Sequence, residues 1–431
     1  MDLREALDHL ESLINHEALP RAGRIEGLSI DRMRELVAAM GDPHTDYPCV
    51  HVTGTNGKGS TVRMASALLH TMGLKVGTYT SPHLVDVRER IRVDGRPIDE
   101  HDFAASIGQV ASVADSVGGA FTWFETMTAA AFHHFANEAI DVGVVEVGML
   151  GRYDATNAID GRVSVVTNVG RDHTDGAGDW RRAIAEEKAG IISPGSALVL
   201  GDADPASREV FLAEGPLATF ELGRDFGVAS DRLAVGGRLV DLYAPLSRHD
   251  EVFLSLHGAH QAVNSAVALA AAESFLGTAI PGDVVEEAYG SVTMPGRFEM
   301  VGHAPMVVLD GAHNPDGARA AAATLRDDFA ASGRRYLVVG MQDGRDPVAI
   351  LEALEASTAE LVLACTAPTA RGVPAAEVAS AARRIGAVVE EVPGVGDALD
   401  RALALAADTD VVGVFGSFTV VGAASLALAP A

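Results

Sequence analysis

The sequence predicts an α/β protein of two units. The first is an N-terminal P-loop-type doubly wound parallel sheet carrying a small subsidiary β-sheet, and the second is a C-terminal Rossmann-like α/β domain. Three observations predict it. Continuous β-branched runs at 142–147 and 163–169 mark strands buried on both faces, as parallel sheets require. Strand-like and helix-like segments alternate through the first half, the pattern of successive βαβ units. A glycine-rich loop ending in a lysine joins the first strand to its helix.

Along the chain, residues 1–5 read as an amphipathic helix without a signal-type apolar core. Strands are predicted over 48–53, 75–80, 142–147 and 163–169, and helices over 60–71 and 123–137. From 197 to 258 the texture changes to short runs (218–222, 238–244 and 252–257) separated by Gly, Asp and Pro, which read as a subsidiary sheet. Helical spacing returns at 260–275. Met294-Pro295-Gly296-Arg297 reads as a linker, so the expected units are 1–296 and 297–431. Five strand-like runs then alternate with helices, at 306–309, 336–339, 361–365, 388–392 and 411–415.

Composition narrows the function. The chain has 33 Lys and Arg against 59 Asp and Glu, a formal charge of −26, which would repel a nucleic-acid backbone. An anionic small molecule would need local cations, helix N-termini or a metal. Cys49 and Cys365 lie in apolar stretches, which suits a reducing compartment, and no run of 18 apolar residues predicts a membrane span. A cytoplasmic monomer is the expectation.

The loop Gly54-Thr55-Asn56-Gly57-Lys58-Gly59-Ser60-Thr61 follows a strand and opens a helix. Its glycines let backbone N–H groups face a polyphosphate, Lys58 neutralises phosphate charge, and Ser60 or Thr61 offers a hydroxyl to Mg²⁺. It is shorter than the usual G-x-x-x-x-G-K-[ST] loop, and Gly59 stands between the lysine and the serine. Glu146 sits inside an apolar strand, where an ionised carboxylate is costly without a cation, so it reads as a metal ligand or as an edge residue paired with a lysine.

Gly54-Thr55-Asn56-Gly57-Lys58-Gly59-Ser60 resembles the nucleotide loop of the Mur ligase superfamily, and the Gly59 insertion resembles its folylpolyglutamate synthase/dihydrofolate synthase branch. The resemblance runs from about residue 25 to residue 425. It implies an ATP-dependent, ADP-forming ligase that adds L-glutamate to a folate or dihydropteroate carboxylate through an acyl phosphate. It implies Mg²⁺ or Mn²⁺ held by Ser60, Ser81, Glu146 and His173, with Asp172 supporting His173. It implies that Lys188 is functional, as a carbamylated lysine in many relatives. Asn264 would contact adenine, Arg297 the phosphates and Asp310 the ribose or phosphate, with His313 beside the nucleotide. Lys58, Lys188, His173 and Arg297 are the catalytic candidates.

On the acceptor side the resemblance places Thr122, Trp123, Phe124 and Glu125 near the pterin, and Arg152 and Asp154 in an adjoining motif. Two departures bear on the acceptor. Leu150 replaces a glycine in a close-approach turn, and the 175–178 stretch lacks the apolar and aromatic residues often found there. A Mur-type ligase with a non-folate acceptor, and a nucleotide-binding protein without ligase activity, are the competing readings.

Overall fold

The computed structural model describes residues 1–16, 29–171, 178–329 and 333–429. The main sheet has eight strands: β1 (Cys49–Thr53), β2 (Val76–Tyr79), β3 (Ile91–Val93), β4 (Arg96–Pro97), β5 (Val142–Glu146), β6 (Gly161–Asn168), β7 (Ala197–Asp202) and β8 (Ala218–Glu221). Their spatial order is β4-β3-β2-β5-β1-β6-β7-β8. All pair in parallel except the edge strands β3 and β4. The central strands β1 and β5 are buried at every residue, which their unbroken apolar runs anticipate.

Apolar cores cover both faces of this sheet. On one face Val50, Val52, Val142 and Val144 pack with the helices Lys58–Thr71 and Ala259–Leu276. On the other, Cys49, Tyr79 and Val145 pack with Glu100–Val117 and Trp123–Asn137. The helix Ala259–Leu276 is alanine-rich because it is enclosed, between the sheet on one side and a three-stranded sheet on the other. That second sheet is β9 (Gly227–Ala234), β10 (Gly237–Tyr243) and β11 (Arg248–Leu254), antiparallel in the order β11-β10-β9.

The subsidiary sheet is therefore smaller than the expected 197–258. The segments at 197–202 and 218–221 belong to the main sheet, because the helix Pro205–Ala213 between them forms a further right-length βαβ crossover. Short strands with interrupting Gly and Asp look alike in sequence whichever sheet they join.

The C-terminal unit holds β12 (Glu299–His303), β13 (Met306–Leu309), β14 (Arg335–Val339), β15 (Leu361–Ala364), β16 (Val389–Glu391) and β17 (Val411–Phe415), in the order β12-β13-β17-β14-β15-β16. The five expected runs are parallel. The sixth strand, β12, follows the linker and pairs antiparallel with β13. The carboxyl ends of β13 and β17 face those of β1, β5 and β6 across a cleft, so ligand chemistry is expected there.

Candidate active site

Four strand ends of the first unit meet at the cleft: the phosphate loop after β1, Ser81 after β2, Glu146 at the end of β5 and Asn168 at the end of β6. Asn168 shapes the loop. Its Oδ1 accepts from Thr55 N (3.2 Å) and Asn56 N (3.0 Å), and its Nδ2 donates to Asn56 O at 3.0 Å. Thr167 Oγ1 also donates to Asn56 O, at 2.6 Å. Lys58 Nζ donates to Gly54 O (3.0 Å) and Thr55 O (3.3 Å), which holds the ammonium inside the loop. Lys58 begins the helix Lys58–Thr71, so cation and helix N-terminus point the same way.

Glu146 is 2% exposed and accepts a hydrogen bond from Ser81 N at 3.1 Å. Burial pushes its carboxyl above the usual range, against the opposing pull of Lys58, the Ser81 N–H, Arg297 and Arg63. Gly59 explains the unusual loop spacing. A Cβ at that position would stand 3.3 Å from Glu146 Oε2 and 3.9 Å from Arg297 Nη2. The first helical turn must be bare where these two side chains converge. Ser60 is 3% exposed, beneath the same point.

The second wall comes from the helix Ala259–Leu276 and the C-terminal unit. Asn56, Ser60, Asn264, Arg297 and His313 line one open cleft. Asn264 approaches the loop so closely that a Cβ on Gly57 would lie 2.4 Å from Asn264 Oδ1. Arg297 stacks on Phe418, with its guanidinium carbon 4.0 Å from the ring centroid, and the ring of His313 lies 6.3 Å from that of Phe418. Asp310 accepts from Phe298 N and Ala312 N, both at 2.8 Å. Burial raises its carboxyl, and Arg297 draws it back down. Both carboxylate oxygens thus already brace the backbone around Arg297.

Lys188, 3% exposed, lines a smaller pocket with Lys58, Thr55 and the 148–150 turn. Leu150 turns there at φ +62°, so the left-handed turn survives the replacement of glycine. Thr53 Oγ1 donates to its carbonyl at 2.6 Å. His173, its neighbour Asp172 and most of the 175–178 stretch lie outside the described residues.

The acceptor-side residues divide into two groups. Thr122 and Glu125 form a reciprocal capping box for the helix Trp123–Asn137: Glu125 N donates to Thr122 Oγ1 at 3.2 Å, and Thr122 N to Glu125 Oε2 at 2.7 Å. Trp123 is 7% exposed and one of its faces is covered by Arg90, 4.6 Å away, whose Nε donates to His83 Nδ1 at 2.9 Å. Phe124 is half-buried between Tyr79 and the close-approach Gly148. Arg152 joins Glu214 Oε1 (2.5 Å) and Glu186 O (3.0 Å). Asp154 caps the turn Ala155–Ala158 and accepts from Met149 N at 2.8 Å. Both therefore brace the loop that carries Leu150.

Sequence reasoning did not single out Asn168, Asn314 or Phe418 as site residues. A polar pair, Thr167-Asn168, closing a buried strand was a usable signal for the first. Phe418 carries none, since its role depends on where β17 ends relative to Arg297.

A charged phosphate loop, a buried carboxylate and a stacked arginine shared between two α/β units define an ATP-dependent ligase of Mur type. The Mur ligase middle domain profile matches residues 52–272, and that of the Mur ligase glutamate ligase domain matches 296–418. The dihydrofolate synthase/folylpolyglutamate synthase of Mycobacterium tuberculosis is 38% identical over 416 residues, covering 89% of this chain and 85% of that protein. The structure of Mycobacterium tuberculosis folylpolyglutamate synthase complexed with ADP superposes with a TM-score of 0.91 at 34% identity, covering 99% of this chain and 98% of that one. The bifunctional Yersinia pestis synthase complexed with AMPPNP and Mn ion gives 0.86 at 28% identity, over 99% and 98%. The chain belongs to the folylpolyglutamate synthase/dihydrofolate synthase family of ADP-forming ligases.

Proposed function

We propose that this chain uses ATP to join the amino group of L-glutamate to the carboxylate of a folate or dihydropteroate, releasing ADP and phosphate. The γ-phosphoryl group passes to the carboxylate, the glutamate amine attacks the resulting acyl phosphate, and phosphate leaves. The observation that carries this reading is the convergence of Lys58, Glu146 and Arg297 on one helix start, where Gly59 has no side chain.

ATP lies in the cleft between the units, with its base towards Asn264 and its phosphates at the Gly54–Thr61 loop. Lys58, the helix N-terminus and Arg297 offset phosphate charge, and Phe418 fixes the Arg297 guanidinium plane. Asp310 acts through the backbone it braces, beside His313. Placement and charge neutralisation account for most of the acceleration in such a transfer.

The residues present fit a hard divalent cation, Mg²⁺ or Mn²⁺. Glu146 is a buried carboxylate with a single hydrogen bond among the described residues, from Ser81 N, and the buried Ser60 lies in the first turn of the helix whose Gly59 faces it. Glu146, Ser60 and Ser81 would hold the ion, with His173 as a further ligand and Lys188, if carbamylated, as the ligand of a second. Such an ion supplies Lewis-acid charge neutralisation at the phosphates. On the acceptor side Phe124 is the better placed ring for a pterin, because Arg90 already covers Trp123. Arg152 and Asp154 hold the turn that meets the acceptor.

No helix among the described residues is long and apolar enough to cross a membrane. With both cysteines free and the surface acidic, we place the enzyme in the cytoplasm as a monomer that does not bind nucleic acid.

The test is ADP release with ATP, Mg²⁺ and L-glutamate, offering dihydropteroate and tetrahydrofolate separately. Release that needs a pterin and glutamate together, with a product one glutamate heavier, establishes the reaction and which substrate is used. ATP binding without acceptor-dependent release rejects folate and directs attention to Leu150.

A further inference from the structure

We propose that Asp328 is a positioning residue: it clasps the C-terminal unit to the start of the helix Ala259–Leu276 and so sets the width of the nucleotide cleft. The proposal rests on the nucleotide reading of that cleft given above.

Asp328 ends the helix Pro315–Asp327. That helix starts at the cleft, where Asp316, Gly317 and Ala320 line the wall, and runs away from it. At its far end the Asp328 side chain is 2% exposed and is held by two segments of the other unit. Its Oδ1 accepts from Arg238 Nη1 at 2.5 Å, and its Oδ2 accepts from Gly258 N at 2.8 Å. His257 Nδ1 stands 3.6 Å from Oδ2. Arg238 is itself fixed by Asp231 Oδ1 at 2.6 Å, so the small sheet is part of the clasp.

The units touch at the backbone here. Gly258 has φ +94°, and a Cβ on it would meet Thr324 Oγ1 of the C-terminal helix and His260 Cε1, each at 2.5 Å. Behind it the ring of Phe329 lies 5.0 Å from that of His257 and 5.5 Å from that of Phe298. His260, Gln261 and Asn264, which line the cleft, follow Gly258 by two, three and six residues. The carboxylate that anchors Gly258 therefore fixes where the base-facing wall begins, from the opposite unit.

A closing equilibrium gives the clasp its effect. When the units separate, Asp328 and Arg238 regain water, so the open state carries no stranded charge. When they close, the pair and the Gly258 N–H bond favour the closed form. A ligand that needs the closed cleft binds with its intrinsic Kd divided by the fraction closed, so its apparent affinity falls as that fraction falls.

The test compares wild type with Asp328→Ala, Arg238→Met and the double variant, measuring the Kd for ADP with Mg²⁺ by calorimetry and steady-state kinetics in ATP. Each single variant is expected to raise Kd and the KM for ATP by roughly 5–50-fold, with kcat at saturating ATP within about twofold. The double variant should cost less than the two single losses combined, because the Arg238–Asp328 pair is lost in each. Unchanged Kd and KM, or a loss confined to kcat and melting temperature, would mean a merely structural contact and overturn the proposal. If Asp328→Ala does not fold, Arg238→Met decides by the same criteria. A wild-type protein that fails to bind ADP would instead overturn the nucleotide reading itself.

Discussion

Asn314 Nδ2 donates to Asn56 Oδ1 at 3.0 Å, tying the first turn of a C-terminal helix directly to the phosphate loop. The same asparagine caps its own helix, accepting from Gly317 N at 2.8 Å through Oδ1. Two substitutions separate these roles. Asn314→Ala loses both, and should cost about 1 kcal/mol of stability from the cap alone and raise the KM for ATP several-fold. Asn314→Ser keeps a good cap but is too short to reach Asn56. Its melting temperature should stay near that of wild type while its KM for ATP matches that of the alanine variant. If serine restores both, the inter-unit bond carries nothing.

Glu146 combines a stability cost with a chemical role. Because burial raises its carboxyl above the ordinary value of 4.5, the native state holds a proton more tightly than the unfolded chain. Stability is then favoured at low pH and declines as pH rises through the raised value. Glu146→Gln removes the group whose burial carries this cost, so at pH 7.5 and without divalent ions it should melt at a higher temperature than wild type. Its ligase rate should fall by roughly 100-fold or more, since cation-mediated charge stabilisation is worth several kcal/mol. Thermal scans and ADP release on the same preparation check both signs.

Much of this site was legible because it lies where strands end. Lys58, Ser81 and Glu146 each sit at or just beyond an apolar run, and parallel strands deliver such positions to one edge of a sheet. Thr122 and Glu125 show the limit. Their spacing is that of a capping box, and a capping carboxylate and a ligand carboxylate are the same residue type in sequence. Arg152 and Asp154 are similar, since only tertiary partners such as Glu214 and Met149 N reveal that they brace a turn. The Arg297–Phe418 stack was not legible, because it joins the linker to the third residue past the end of β17, 121 positions away, and no local pattern encodes that approach. The size of the subsidiary sheet was misjudged for the same reason: pairing, not composition, assigns 197–202 and 218–221 to the main sheet.

Leu150 holds φ +62°, a conformation costly for a residue with a Cβ. Leu150→Gly should stabilise the N-terminal unit, by at most about 1 kcal/mol once the greater freedom of glycine in the unfolded chain is offset. Leu150→Val should destabilise it, because branching at Cβ makes positive φ worse. The expected order of melting temperatures is Gly, then Leu, then Val. A valine variant as stable as wild type would contradict a retained left-handed turn.

Arg297 needs both its charge and its plane. Phe418→Leu keeps an apolar side chain against Gly311 but removes the π face 4.0 Å from the guanidinium. A desolvated cation–π contact is worth about 2 kcal/mol, so kcat/KM for ATP should fall by about 30-fold, since each 1.36 kcal/mol is a factor of ten. Arg297→Lys should fall at least as far, because an ammonium on a flexible stem loses the planar fork as well as the stack. Full activity in the lysine variant would show that charge alone suffices.

Gly59 offers a case in which stability and activity should move in opposite directions. It occupies the second position of the helix Lys58–Thr71, where alanine is intrinsically preferred by up to about 1 kcal/mol. The added methyl group, however, would lie 3.3 Å from Glu146 Oε2 and 3.9 Å from Arg297 Nη2, closer to the carboxylate than ordinary contact allows. The helix start cannot give way, because Thr61 N donates to Gly57 O at 2.9 Å and Lys58 is anchored to Gly54 O. The carboxylate must move, and among the described residues it is held by one hydrogen bond, from Ser81 N. Gly59→Ala should therefore fold, melt no lower than wild type and lose roughly tenfold or more in activity. The loss should appear mainly as a higher Mg²⁺ requirement, because the displaced group is the proposed ion ligand. Titrating Mg²⁺ at saturating ATP distinguishes this from a general loss: recovery at high Mg²⁺ supports the placement of Glu146, whereas an unchanged Mg²⁺ midpoint refutes it.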